Sequence, residues 1–180
     1  MPKSAQPLSK PSTRGSPPPP AVDVKPSGIE GLGIFACRPF RAGEPIREIT
    51  VVREVTPDAP LRAELGERAD HCDYPDGKVV LLGVPDRYVN HSCDPSAWMR
   101  YGGAACCFVA RRDITAGEEV TVDYSINLTD GSAWPCRCGA PRCRGTVVGD
   151  FFALPPALQV EYRPLLADWF VRRHAERLPR

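Results

Sequence analysis

The sequence contains no uninterrupted apolar run of about 18 residues, so it writes no helical membrane span. Its first residues lack the apolar core of a secretory signal. Neither sign of charge is in excess: 23 Lys and Arg stand against 22 Asp and Glu, for a formal net charge of +1. A field that weak gives no long-range pull toward nucleic acid or a membrane surface. There are no internal repeats. The full dinucleotide-binding fingerprint is also missing, and Gly31-Leu32-Gly33 offers only a glycine pair. These absences point to a cytoplasmic chain, or a nuclear one in a eukaryote, that contacts neither membrane nor nucleic acid directly.

Proline and cysteine are what the sequence has in quantity. With 180 residues it can build one domain with a core and appendages. The 21 prolines cluster at the start, where Pro17 to Pro20 form a run. Residues 1–27 have few large apolar side chains to offset ordering entropy, so a disordered proline-rich tail is expected there. Pro17 to Pro20 would take the polyproline II form, either as a solvated tail or as a proline-motif ligand. The eight cysteines of a chain with no secretory signal argue for metal or buried thiols over disulfides.

Order is expected from Gly28. Gly31 to Cys37 reads as a glycine turn entering a strand, and Pro45 to Val55 as a strand rich in β-branched residues. Pro57 to Ala69 suggests a short helix. Asp76-Gly77 signals a hairpin with Lys78 to Leu82 returning. Ala97 to Tyr101 and Ala105 to Arg112 read as strands around Gly102-Gly103, and Ala116-Gly117 turns into a strand from Glu119 to Tyr124. Short strands with turns this frequent mean a mostly-β fold. After Gly149 the spacing of Leu158, Tyr162, Leu165, Leu166, Trp169 and Phe170 predicts an amphipathic helix, with a possible break at Pro164.

Three stretches carry chemistry. Asn90-His91-Ser92-Cys93-Asp94-Pro95 places an amide, an imidazole, a hydroxyl and a thiol side by side, although its Asn, Ser, Asp and Pro are also ordinary turn residues. Gly117 to Tyr124 ends in Asp123-Tyr124. Cys136, Cys138 and Cys143 put three thiols within eight residues, a spacing that suits zinc but leaves its fourth ligand open. Cys37, Cys106 and Cys107 sit in strand-like runs and read as small core residues. The pair His71-Cys72 could bind metal but has no further ligand nearby.

Taken together and in this order, the three stretches resemble the SET-domain lysine methyltransferases with a post-SET zinc knuckle. The resemblance covers about residues 28–147. It implies a SET β-fold of small sheets with a pseudoknot-like crossing at Asn90 to Cys93, divided as SET domain 28–131, zinc knuckle 132–149 and C-terminal helix 150–180. It implies S-adenosylmethionine as cofactor, held by Gly31, Leu32, Gly33, Arg87, Tyr88, Asn90, His91 and Tyr124. Tyr124 would be the catalytic residue, and Cys93 would complete a structural zinc site with Cys136, Cys138 and Cys143. The implied partner is a protein bearing a target lysine; oligomeric state is left open. Two departures stand out: Ser96 replaces the usual asparagine, and the insert from Thr56 to Leu82 is short. A non-catalytic interaction module built on the same fold is the competing reading, and a zinc-knuckle nucleic-acid binder is a third that the net charge disfavours.

Overall fold

A computed structural model describes residues 19–102 and 106–179. In chain order the strands are β1 (Val22–Pro26), β2 (Leu32–Ala36), β3 (Pro45–Glu48), β4 (Val51–Val55), β5 (Cys72–Asp73), β6 (Val79–Leu82), β7 (Asn90–His91), β8 (Ala97–Arg100), β9 (Cys107–Ala110), β10 (Glu119–Val122), β11 (Thr129–Pro135) and β12 (Thr146–Asp150). Two short helices follow, α1 (Pro156–Tyr162) and α2 (Asp168–Arg173). Among the described residues the strands form four small sheets, ordered β1-β2-β10-β7, β3-β9-β8, β4-β6-β5 and β11-β12. The mostly-β architecture of small sheets is as expected. No helix among the described residues is long and apolar enough to cross a membrane.

Alternation decides how the first sheet packs. Ile34 and Ala36 on β2 and Val120 and Val122 on β10 point into one core, which they share with Phe40, Ile46, Phe108 and Ile114. A buried side chain of this size contributes roughly 1.5–3 kcal/mol, so these residues dominate the stability of the body. Phe151, Leu158, Tyr162, Leu166 and Phe170 make a second core around the C-terminal helices. In the segment Asn90 to Cys93, β7 pairs parallel with β10, Asn90 beside Thr121 and His91 beside Val122.

Four expectations need correction. Order begins before Gly28: Val22–Pro26 pairs along β2 with Val22 buried, and Pro26 is tolerated because β1 is an edge strand. Residues 1–18 of the expected tail, with Pro17 and Pro18 of the polyproline run, lie outside the described residues. Pro45 to Val55 is two strands in different sheets. The chain breaks at Ile49 and Thr50 because the buried Asp86 carboxylate accepts the Thr50 N–H at 2.8 Å while pairing with Arg47 at 2.7 Å. Pro57 to Ala69 buries no apolar stripe, so instead of a helix it forms single 3₁₀ turns at Ala63–Leu65 and Ala69–His71. Of the three cysteines read as core, only Cys107 is buried; Cys106 is half-buried and Cys37 exposed.

Other boundaries shift in smaller ways. The Asp76-Gly77 hairpin forms, with both residues at positive φ and β5 antiparallel to β6. The C-terminal helix is broken where Pro164 falls in a 3₁₀ turn, since proline brings no N–H to continue the ladder. The knuckle boundary at residues 131/132 cuts through β11, whose partner is β12. Gly103, Ala104 and Ala105 lie outside the described residues, so of the strand expected from Ala105 the described part is β9.

Candidate active site

The parallel β7–β10 pairing sets the site. It places Asn90 and His91 beside the end of β10, one residue before Asp123-Tyr124. The Tyr124 N–H donates to His91 Nδ1 at 3.2 Å, which makes Nδ1 an acceptor. His91 Nε2 therefore carries the ring proton and faces Cys93 Sγ at 3.3 Å. Burial lowers the His91 pKa to about 4, against the pull of Asp123. The imidazole is thus neutral at pH 7, with both nitrogens committed, so it organises the site and is not a free base.

The Tyr124 hydroxyl donates to the Val89 carbonyl at 2.6 Å. Burial first, then the negative charges of Asp70 and Glu119, raise its pKa above the usual phenol range. It stays a phenol at neutral pH. Its ring packs between His91, centroids 5.4 Å apart, and Trp134 on β11, 6.2 Å apart.

Asn90 Nδ2 lies against the Leu32 and Glu30 carbonyls at 3.0 and 3.2 Å and Glu119 Oε1 at 2.8 Å. Its Oδ1 has no protein donor among the described residues. Glu119 also accepts from Ser27 Oγ at 2.9 Å. This carboxylate crosses directly over Gly33, where any Cβ would collide with it. The glycine at 33 is a packing requirement of the Asn90–Glu119–Ser27 knot.

Gly31, Leu32, Arg87, Tyr88, Asn90, His91 and Tyr124 all line one cavity of about 830 Å³. That volume suits a small-molecule ligand together with an entering side chain. Gly33, also expected at the cofactor, is not part of this lining. Arg87 presents a buried Nε with no partner among the described residues, and Tyr88 meets His71 edge-on at 5.8 Å.

Cys93, Cys136, Cys138 and Cys143 converge so that their sulfurs all lie within 4.8 Å of one another. Tetrahedral zinc with Zn–S near 2.3 Å sets sulfurs about 3.8 Å apart. Cys93 and Cys136 stand 3.7 Å apart. Backbone N–H groups of Arg144, Cys93 and Gly145 point at Cys93, Cys138 and Cys143 sulfurs at 3.3, 3.5 and 3.4 Å. Burial would raise the Cys138 pKa, but N–H donors from Cys93 and Ala140 and the neighbouring thiols outweigh it and bring it to about 7. The four-thiol donor set fits tetrahedral zinc. His71-Cys72 joins no such cluster among the described residues.

Three residues of the site escape sequence reasoning. Glu119 lies inside a recognisable motif but reads there as a strand residue. Trp134 has no signal beyond its proximity to the cysteines. Arg144 follows Cys143 directly; its guanidinium grips Asp123 at 2.7 and 2.9 Å and reaches Ser125 Oγ at 3.2 Å. It ties the knuckle to the residue preceding Tyr124.

A family model described as SET domain matches residues 31–125. Relatives include the histone-lysine N-methyltransferase ash1 of Drosophila melanogaster, 31% identical over 159 residues, covering 81% of this chain and 7% of that protein. Histone-lysine N-methyltransferase 2B of Homo sapiens is 36% identical over 138 residues, covering 69% and 5%. An H3 lysine-4 specific histone-lysine N-methyltransferase of Eremothecium gossypii is 34% identical over 133 residues, covering 66% and 14%. The chain thus spans only a small part of the length of these relatives. The matched segment runs from the glycine turn through Asn90 and His91 to Tyr124, and by that match the chain belongs to the SET domain family.

Proposed function

We propose that this chain transfers a methyl group from S-adenosylmethionine to the side-chain amine of a lysine in a protein substrate. The observation that carries this reading is the single cavity shared by the Gly31-Leu32 turn, Asn90 and Tyr124. When bound, S-adenosylmethionine supplies an electrophilic methyl on a sulfonium.

The chain's own residues would do the rest. Gly31 and Leu32 offer backbone to the cofactor, Asn90 Oδ1 is an available acceptor for its ammonium, and Arg87 and Tyr88 would close its far side. The target amine must arrive uncharged. In water, neutralising a lysine of pKa about 10.4 at pH 7 costs roughly 4 to 5 kcal/mol. An apolar channel ending near a positive charge removes much of that cost, because both disfavour the ammonium. The Tyr124 hydroxyl donates its hydrogen bond to the Val89 carbonyl, so its oxygen lone pairs are left to accept from the amine and hold it in line. The four cysteines would bind one zinc ion that keeps Trp134 and Arg144 in place against the site.

The relatives are named for histone lysines, so a histone is a candidate substrate and the nucleus of a eukaryote a candidate location. Incubation with labelled S-adenosylmethionine and a proteome extract, followed by identification of labelled proteins, tests the reading. Tyr124→Phe should cut transfer by about 10² to 10³ while cofactor affinity, measured by calorimetry, barely changes. Undiminished transfer by the variant would rule out a catalytic role for Tyr124.

A further inference from the structure

The cavity wall holds six carboxylates. Four already have a cation: Glu30 pairs with Arg137, Asp70 with Arg68, Asp86 with Arg47 and Asp123 with Arg144. Asp130, exposed on its strand, also has no cation within 4.0 Å among the described residues, and its Oδ1 alone accepts the N–H and hydroxyl of Ser132. Asp73 differs from the four paired carboxylates in lacking a cation and from Asp130 in being half-buried with both oxygens anchored. It ends β5, no cationic group among the described residues lies within 4.0 Å of it, and both its oxygens face the Tyr101 hydroxyl at 3.0 and 2.9 Å. Burial pushes its pKa up, only partly offset by the Tyr74 N–H and the Tyr101 hydroxyl. The phenol is fixed from behind by Trp169 of α2, ring centroids 6.5 Å apart.

A carboxylate held this way lacks only a cation. We propose that Asp73, oriented by Tyr101, is a subsite for a second positively charged side chain of the substrate protein, lysine or arginine, beside the target lysine. The inference rests on the protein-lysine reading of the cavity. Tyr74, exposed at the same wall, adds an aromatic face that favours the same class of ligand. A metal ion does not fit, since one carboxylate and one phenol cannot fill a shell of six or more oxygens. The target amine does not fit either. It must shed its proton next to Tyr124, and a carboxylate beside it would hold the proton on.

The test uses synthetic peptides with one lysine among neutral residues and an arginine walked through each flanking position. Their binding to the full chain, with S-adenosylhomocysteine present, is read by fluorescence anisotropy. One arginine position should tighten binding to the wild type by about tenfold to a hundredfold, as expected for hydrogen bonds to a charged partner. Asp73→Asn should erase that gain and leave the all-neutral peptide unaffected. Tyr101→Phe keeps the carboxylate but frees it, and should erase part of the gain, which guards against a misfolded first variant. No preferred arginine position in the wild type, or a preference that survives Asp73→Asn, overturns the proposal. Peptides that bind with the arginine preference but are never methylated would instead sink the transferase reading and leave the subsite standing.

Discussion

Arg144→Met isolates the buried ion pair that, among the described residues, joins the cysteine knuckle to the end of β10. The Asp123 side chain is 0% exposed and the Arg144 side chain 15%. Remove the guanidinium, and among the described residues the carboxylate keeps only the Ser125 N–H at 3.0 Å. His91 Nδ1, 3.6 Å away, cannot help, because it already accepts from Tyr124. Breaking a buried pair from one side typically costs about 3–5 kcal/mol. For a chain of this size each kcal/mol moves the melting temperature by roughly 2–4 °C, so the variant should melt on the order of 10 °C lower. Adding Asp123→Asn removes the stranded charge and should recover most of that loss, because deleting both partners is far cheaper than deleting one. The assay is thermal unfolding by circular dichroism on the four members of the cycle, with zinc measured on the same samples. If Arg144→Met melts within about 1 °C of the wild type, the pair does not carry the linkage assigned to it.

Freshly purified protein should contain one zinc per chain; chelation should loosen the β11–β12 hairpin and weaken cofactor binding together, and metal analysis finding none would refute the site. Structural zinc is worth on the order of 10 kcal/mol of apparent binding energy in small peptides, so the effect should be large. Hydrogen bonds from Arg62, with burial opposing, lower the Glu67 pKa from 4.5 to about 2, and Arg53 adds to the effect. Its contribution is therefore full above pH 4.5 and drains away as pH falls toward 2, so the melting temperatures of wild type and Glu67→Gln should converge across that window. A constant difference down to about pH 2 would show that the charge is irrelevant. Val122 lines the cavity two residues before Tyr124 and has no hydroxyl to anchor a water beside the amine. Product should reach di- or trimethyl-lysine, and Val122→Tyr should shift it toward monomethyl; mass spectrometry showing a strict stop at one methyl in the wild type counts against this.

What could be read in advance was whatever a contiguous motif carries. Asn90 to Cys93, Asp123-Tyr124 and the three clustered thiols each announce themselves, and the order of the three points to one fold. Partnerships across long stretches of chain could not be read. Nothing in the spacing of Asp86 says that it will accept the Thr50 N–H and split a strand-like run in two. Nothing around Arg144 says that it will reach Asp123 and not solvent. The first strand is illegible because Val22 and Val24 are too few to signal a strand alone; they become one because β2 presents a free edge to pair with. The insert looks helical by composition, yet the Glu67 clamp on Arg62 and Arg53 favours a chain folded back on itself.

The two separate hydrophobic cores have a thermodynamic consequence. One side of the cavity hangs from the first core through Tyr88, Val122 and Tyr124. The other leans on the second core through Tyr101 and Ile126. A molecule filling the cavity is therefore mortar between two courses of masonry. Its measured affinity includes the work of seating the C-terminal helices against the sheets, and its departure returns that work to the protein as looseness. Ligand affinity and the cohesion of the chain are one quantity read from two ends.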